Sequence, residues 1–201
     1  MKYFAIYLIV ACALVFLVQS VVPGFTNAFL LDSSLILQRP WTIVTSTFLH
    51  GSLSHLAFNM FALFLFGLLL EKFVGSKKFI AIYFVSGIIA SLAAAAFYPQ
   101  SLGASGAIYG IIGALATLMP KTIVWTYGVP MPMVAAAGFY LLLDLAGLFY
   151  PSSVANAAHV AGLITGVIIG YALRSPEHIE KRDKSDNVSE KDFNQWEDQW
   201  M

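Results

Sequence analysis

Four polar residues that could support nucleophilic catalysis stand in otherwise apolar stretches of this sequence. A serine, Ser105, lies between glycines in the segment Gly103-Ala-Ser-Gly106, and the other three are His55, Asn59 and His159. Serine is a poor nucleophile until a base removes its proton, and neutral histidine has a suitable pKa for that role. Acyl transfer also needs hydrogen-bond donors aimed at the developing oxyanion. These residue types therefore indicate acyl-transfer chemistry.

The spacing of these residues predicts that they converge. His55 and Asn59 are four positions apart, which places them on one face of a helix. Ser105 stands at a predicted helix start, where backbone N–H groups have no intrahelical partner, so its own N–H is a further candidate oxyanion donor. Glycines recur in the segments around Ser105 and His159 at a spacing that lets two helices approach backbone to backbone. These glycines are Gly106, Gly110 and Gly113 in one segment and Gly162, Gly166 and Gly170 in the other.

The elements that carry these residues are predicted to be membrane-spanning helices. Of the 201 residues, 59% are hydrophobic and 11% are charged, whereas soluble domains are about 25% charged. Six segments approach the roughly 20 apolar residues that cross a bilayer: about 4–22, 53–70, 79–97, 104–119, 131–150 and 155–173. The first is too long in its apolar run for a signal peptide, and no small-residue cleavage site follows it. We therefore predict an all-α polytopic membrane protein, a bundle of six transmembrane helices.

The charge distribution predicts the orientation of the bundle and excludes some partners. Lysine and arginine are concentrated in alternate connections, while the connection between the first two spans carries only Arg39. The positive-inside rule then places both termini in the cytoplasm of a multi-pass cell-membrane protein. The 11 basic and 11 acidic residues balance and form no basic patch, which argues against a nucleic-acid partner. The single cysteine, Cys12, excludes a disulfide framework.

Two segments lie outside the predicted spans. The first connection, residues 23–50, is long and apolar, which is typical of short amphipathic pieces lying in the membrane interface. Residues 175–201 are rich in acidic side chains and poor in apolar ones, so we expect a flexible cytoplasmic tail.

Each candidate residue alone has a simpler interpretation. Ser105 could be a packing serine in a glycine-rich helix, and His159 could be a buried histidine bonded to a carbonyl. A metal site from His50, His55 and His159 lacks a carboxylate or cysteine partner, and the first two are five rather than four residues apart. We therefore expect no metal and no cofactor. Catalysis is favoured because these residues lie at one depth in three spans, where polar groups are costly.

The motifs together resemble the rhomboid family of intramembrane serine proteases. The residues that carry the resemblance are His50-x4-His55-x3-Asn59, then Gly103-Ala-Ser105-Gly106 with Tyr109 and Gly110, then Ala158-His159 with Gly162. The resemblance covers the chain up to about Leu173 and is to the minimal six-helix form. Residues 1–174 are therefore expected to form the protease domain.

The resemblance implies a role for the residues of the second and third motifs. Ser105 would be the nucleophile and His159 the general base, as a dyad without a third carboxylate. Gly103 would leave room for the substrate backbone. Tyr109, one turn beyond Ser105, would support the imidazole ring by stacking.

The resemblance also implies how the first motif and the substrate take part. His55 and Asn59, with the Ser105 N–H, would stabilise the oxyanion, and His50 is a further candidate without an assigned role. The substrates would be transmembrane helices of membrane proteins, cut near the outer face of the lipid bilayer through an acyl-enzyme, with small residues favoured at the cut. Span five and the loop 150–155 would move to admit substrate and water.

Two alternative functions and two unassigned residues stand beside this interpretation. A catalytically inactive relative that binds membrane helices would be expected to lack Ser105 or His159, and a small transporter would show internal repeats, which are not visible. Many relatives have Trp-Arg in the first loop where this chain has Arg39-Pro-Trp41, so the role of Arg39 is not transferred. Asp144 in span five lies about two turns from the outer end, where it could approach the site. We expect it instead to be a buried acid, paired with a hydroxyl or protonated, which the dyad does not require.

Overall fold

Six apolar helical segments make up the body of the protein. The computed structural model describes residues 3–150 and 154–174. Within these ranges, Phe4–Val21, Leu53–Val74 and Ser76–Phe97 are long and apolar enough to cross a membrane. Ser105–Leu118, Met133–Gly147 and Asn156–Ala172 are shorter apolar helices. The predicted acidic tail, residues 175–201, lies outside the described residues. A mostly helical bundle is therefore confirmed, with three of its six segments shorter than expected of a full span.

We number the elements in chain order. The helices are α1 (Phe4–Val21), α2 (Phe25–Phe29), α3 (Thr42–Thr45), α4 (Leu53–Ala62), α5 (Leu68–Val74), α6 (Ser76–Phe97), α7 (Ser105–Leu118), α8 (Met133–Gly147) and α9 (Asn156–Ala172). A π-helical stretch, Leu63–Gly67, joins α4 to α5 as one continuous helical segment. The strands are β1 (Leu31–Asp32), β2 (Gln100–Ser101), β3 (Ile123–Thr126) and β4 (Val129–Pro132).

Two short antiparallel ladders were not predicted. β1 pairs with β2, which ties the first connection to the loop before Ser105. β3 and β4 form a hairpin through Tyr127 and Gly128, both with positive φ, as the two central residues of a hairpin turn require. The predicted start of span five at residue 131 was therefore wrong. Pro130 and Pro132 suit an extended edge rather than a helix interior, and α8 begins only at Met133.

The first connection folds into short pieces, as predicted. Helices α2 and α3 and the short 3₁₀ turns Ser33–Leu35 and Ser46–Phe48 occupy it. Arg39 donates from its guanidinium to the Asn27 carbonyl at 3.2 Å, a contact within this connection. Gln19 of α1 brackets His50: its amide oxygen accepts from the His50 N–H at 3.0 Å, and its amide nitrogen donates to the His50 carbonyl at 3.3 Å. These two hydrogen bonds therefore hold the end of the first connection in place just before α4 begins.

The second helical segment runs past the predicted end at residue 70 because Glu71 is buried rather than solvated. Its carboxylate accepts hydrogen bonds from the Phe4 N–H at 2.8 Å, the Ala5 N–H at 2.9 Å and the Ser76 hydroxyl at 2.6 Å. Both carboxylate oxygens have donors, and two of these donors are unpaired N–H groups at the start of α1. Glu71 therefore joins α1 to the rest of the bundle at one end.

We expect Glu71→Ala to loosen α1. The variant leaves two helix-terminal N–H groups without an acceptor, which costs about 1–3 kcal/mol for a buried group. Cys12 lies in α1 and is fully buried, so its alkylation rate in membranes should rise at least tenfold. Lys72→Ala, which changes the exposed neighbouring charge, is the control and should leave the rate unchanged. Equal alkylation rates in the two variants would show that Glu71 does not hold α1.

Helix α7 is the centre of the bundle. Of its residues from Gly106 to Leu118, all but Tyr109 are buried. Its glycines lie directly against α9: a Cβ added to Gly162 would collide with the Gly106 carbonyl oxygen, and one added to Gly166 would collide with that of Gly110. The predicted backbone-to-backbone approach of the segments around Ser105 and His159 is therefore confirmed.

Gly166→Ala is expected to force α7 and α9 apart. The added methyl meets a backbone carbonyl that cannot move aside, and such overpacking costs typically 1–3 kcal/mol or more. The melting temperature in detergent should fall by several degrees. Gly138→Ala in α8, where a Cβ would meet nothing within 4 Å, is the matched control and should not lower it. An unchanged melting temperature for Gly166→Ala would contradict the packing described here.

Candidate active site

Ser105 is the first residue of α7, and the loop before it is shaped by Gly103. The Gly103 N–H donates to the Ser46 carbonyl at 2.9 Å, and Gly103 has φ of 125°, in the region that favours glycine. A Cβ there would lie 2.8 Å from His55 Cε1 and 3.8 Å from Ser105 Oγ. The small space over Gly103 is thus bounded by the His55 ring on one side and the Ser105 hydroxyl on the other.

A chain of hydrogen bonds crosses three helices at this point. The Ser105 hydroxyl lies 2.7 Å from His159 Nε2, joining α7 to α9. On the far side of the ring, His159 Nδ1 lies 2.8 Å from Asp144 Oδ1, joining α9 to α8. His159 is 9% exposed and Asp144 4%. An ionised carboxylate accepts hydrogen bonds and does not donate them, so with Asp144 ionised Nδ1 carries the proton and Nε2 accepts from the serine hydroxyl.

Tyr109 fixes the plane of the imidazole. Its ring stacks on that of His159 with centroids 4.2 Å apart and an angle of 13° between planes. Tyr109 in turn contacts the Tyr140 ring of α8 edge to face at 5.9 Å. The stacking expected from its position one turn beyond Ser105 is present, and it holds the ring that faces the serine.

His55 presents a donor toward the space over Gly103. The Gly51 N–H donates to His55 Nδ1 at 3.4 Å, so the other ring nitrogen, Nε2, carries the hydrogen in the neutral ring. A Cβ on Gly103 would lie 2.9 Å from that Nε2 atom. His55 is therefore arranged to donate to an oxygen bound beside Ser105.

Asn59 lies one turn along α4 from His55 and is buried. Its side-chain nitrogen donates to the His55 carbonyl at 2.9 Å, within the helix. The Asn59 amide has a second hydrogen that this bond does not use. The structure thus places Asn59 on the helix of His55, and among the described residues no hydrogen bond joins the Asn59 side chain to Ser105.

His50 packs behind His55 rather than beside Ser105. The two rings meet edge to face at 5.1 Å, and His50 is 2% exposed. Within the described part of the chain neither nitrogen of its ring has a hydrogen-bond partner. Burial lowers the pKa of His50 to about 4, with a smaller contribution from the neighbouring His55. The His50 imidazole is therefore neutral at physiological pH and supports the His55 ring as an apolar neighbour.

A small cavity opens beside Ser105. Glycine and alanine residues form much of its wall, and Thr47 and Ser91 are among the other lining residues. Within residues 3–150 and 154–174, no group of three or more histidine, cysteine or acidic side chains is arranged to hold a metal ion. The cavity can therefore admit a small side chain or water next to the serine hydroxyl.

The partner of Asp144 is the main feature that the sequence interpretation missed. A buried acid, paired with a hydroxyl or protonated, was expected, and the structure places its carboxyl 2.8 Å from His159 Nδ1. The residue type of Asp144 was the available signal, because an acid in an apolar helix is costly in lipid and is therefore a functional candidate. Its partner could not be identified, because nothing in the local pattern relates α8 to α9.

Comparison with known proteins finds a family model and several relatives that all carry the rhomboid name. Residues 37–176 match the family model described as Rhomboid domain. The chain is 35% identical over 183 residues to Rhomboid protease GluP of Bacillus subtilis (strain 168), covering 85% of this chain and 35% of that protein. It is 34% identical over 156 residues to Rhomboid protease AarA of Providencia stuartii, covering 66% and 55%. RHOMBOID-like protein 6, mitochondrial, of Arabidopsis thaliana is 35% identical over 136 residues, covering 66% and 43%. The chain thus spans between 35% and 55% of the length of these relatives.

Proposed function

Because the chain belongs to the rhomboid family, we propose that it is an intramembrane serine endopeptidase whose nucleophile is Ser105 and whose general base is His159. The observation that carries the proposal is the 2.7 Å distance between Ser105 Oγ and His159 Nε2. Nucleophile and base lie within the hydrogen-bonding distance that proton transfer requires. The residues around this pair support it by binding the oxyanion and leaving room for the substrate.

Hydrolysis proceeds in two steps, acylation of Ser105 and then hydrolysis of the acyl-enzyme. Ser105 Oγ attacks the carbonyl carbon of the scissile peptide while its proton passes to His159 Nε2. The tetrahedral intermediate then expels the amine, which takes that proton and leaves an acyl-enzyme on Ser105. Water next attacks the ester, losing a proton to His159, and the serine leaves with that proton as the carboxylic acid product is released.

The negative oxygen of each intermediate is stabilised by fixed donors. His55 Nε2–H faces the space over Gly103, and the Ser105 N–H stands at the start of α7, where such groups lack an intrahelical acceptor. The unused hydrogen of the Asn59 amide is a third donor. Gly103 leaves this space open for the substrate backbone, since any larger residue there would meet the His55 ring.

The substrate class follows from the location of the site. The site lies between helices whose outward faces carry large apolar side chains, such as Leu142 and Ile164, so the substrate is a transmembrane helix of a membrane protein in the bilayer. The cavity wall of glycine and alanine beside Ser105 favours a small residue at the cut. A helix that is easily unwound near its end can bring its carbonyl to Ser105.

The proposed architecture has six spans, with residues 1–174 as the protease domain. The three shorter helices, α7, α8 and α9, also cross the membrane: α7 is enclosed by the bundle, and α8 and α9 carry large apolar side chains on their outward faces. Both termini lie in the cytoplasm, because the basic residues concentrate on that side. The site then faces the outer half of a cell membrane. α8 is the element that admits substrate and water, and residues 151–153 of the expected mobile loop lie outside the described residues.

The test is cleavage of a reporter transmembrane helix in proteoliposomes by the wild type and by Ser105→Ala. We expect cleavage by the wild type only, and we expect a serine-directed electrophile to label the wild type only. Ser20→Ala, whose exposed hydroxyl in α1 donates to the Phe16 carbonyl, is a control for loss of a serine elsewhere and should be labelled normally. Labelling or cleavage that survives Ser105→Ala would contradict the mechanism. Binding of the helix without either activity would favour an inactive relative.

A further inference from the structure

We propose that Asp144 is a positioning residue for His159, so that this chain uses a serine–histidine–aspartate triad with one member on each of three helices. The proposal rests on the proposed hydrolytic function. The dyad of Ser105 and His159 needs no acid, and this proposal adds one to it. Asp144 touches neither the serine nor the space for substrate, and it acts through the imidazole alone.

The geometry places all three groups in line. Asp144 Oδ1 is 2.8 Å from Nδ1 of the imidazole, and Ser105 Oγ is 2.7 Å from Nε2 of the same ring. The acid comes from α8, the serine from α7 and the histidine from α9. The acid–base–nucleophile order and the use of opposite ring nitrogens match the arrangement by which serine proteases activate a hydroxyl.

The surroundings of Asp144 distinguish it from a structural acid. Glu71, the other deeply buried carboxylate among the described residues, has three hydrogen-bond donors shared over both oxygens. The well-formed hydrogen bond of Asp144 is to His159, its Oδ2 atom has no hydrogen-bond partner in the described part of the chain, and the Tyr109 hydroxyl is its other polar neighbour. A buried acid kept only for stability would be expected to have its oxygens satisfied. Both neighbours of the carboxyl, the His159 ring and the tyrosine stacked on it, therefore belong to the site of the general base.

The hydrogen bond between His159 and Asp144 determines which nitrogen of the imidazole is basic. Because Nδ1 donates to the carboxylate, the lone pair of Nε2 faces the serine hydroxyl, which is the tautomer a general base needs. When His159 takes the serine proton, the imidazolium that forms lies beside a negative charge in surroundings of low dielectric, where that interaction is strong. Tyr109 fixes the plane of the ring, and Asp144 fixes its tautomer and its rotation within that plane.

The primary test is the kinetics of Asp144→Asn in proteoliposomes. In the serine protease arrangement this exchange costs about 10⁴-fold in kcat, because the wrong tautomer is favoured. We expect a loss here of roughly 10²- to 10⁴-fold in kcat with KM within threefold of the wild type. Glu71→Gln removes a buried carboxylate that the mechanism does not use, and its kcat should stay within threefold.

A second pair of variants covers the case in which Asp144→Asn fails to fold. Asp144→Glu and Asp144→Gln have side chains of equal length and differ in the carboxylate alone. We expect the Glu variant to retain at least tenfold more kcat than the Gln variant, at matched melting temperatures. Equal kcat in this pair, or kcat within threefold of the wild type for Asp144→Asn, would overturn the triad and leave Ser105-dependent cleavage standing. Absence of Ser105-dependent cleavage in the wild type would overturn the proposed function and the triad together.

Discussion

His159→Ala is expected to abolish cleavage of a transmembrane substrate. The imidazole is the acceptor within 2.7 Å of the Ser105 hydroxyl, and no other base replaces it among the described side chains around the serine. Where nucleophile and base act as a unit, removal of either costs about 10⁶-fold in kcat. The same variant should lose electrophile labelling at Ser105, because the hydroxyl then keeps its proton.

The measurement is single-turnover cleavage in proteoliposomes, with labelling followed in parallel. Thr165→Ala is a control on the same helix. The Thr165 hydroxyl bonds only to the Ala161 carbonyl one turn back in the described contacts, so its loss should leave both readouts unchanged. Cleavage by His159→Ala within tenfold of the wild type would show that another group removes the serine proton.

His55→Ala is expected to lower kcat by about 10²- to 10³-fold with a smaller change in KM. Loss of one oxyanion donor in other serine proteases has an effect of this size. The physical reason is that the Nε2–H of His55 faces the space over Gly103, where the substrate oxygen becomes negative, and interacts most strongly with the charged intermediate.

The measurement is kcat and KM of His55→Ala. The control is Leu53→Ala, because Leu53 is an exposed position on the same helix. The Leu53 variant should have the constants of the wild type. An equal fall in kcat for the two variants would point to disturbance of α4. A kcat for His55→Ala within threefold of the wild type would assign the oxyanion to the backbone N–H and Asn59 alone.

The meeting of α7 and α9 could be predicted because its cause is local. Glycines at four-residue spacing, Gly162 and Gly166 in one helix opposite Gly106 and Gly110 in the other, leave no side chain between the backbones. Since Ser105 adjoins one of these rows, the contact determines where its hydroxyl lies. The stacking of Tyr109 on His159 was expected from the family resemblance alone.

The contacts that could not be predicted join residues far apart in sequence. Asp144 and His159 are separated by 15 residues, and the carboxylate of Glu71 by 66 and 67 from its donors in α1. Each acid lies in or beside an apolar stretch, and hydropathy alone cannot distinguish the end of a span, as Glu71-Lys72 suggested, from a buried partner. The β3–β4 hairpin was missed because its central pair, Tyr127-Gly128, is not one of the Asn-Gly or Asp-Gly sequences that mark such turns.

The distribution of the hydrogen-bonded chain over α7, α8 and α9 has a consequence for biosynthesis. During synthesis Ser105 leaves the ribosome well before His159, 54 residues later. In the proposed mechanism the serine hydroxyl has no base until α9 has inserted and docked. The nascent chain would then be latent, and it would gain the proposed ability to cut neighbouring helices in the translocation machinery only after its own assembly is finished.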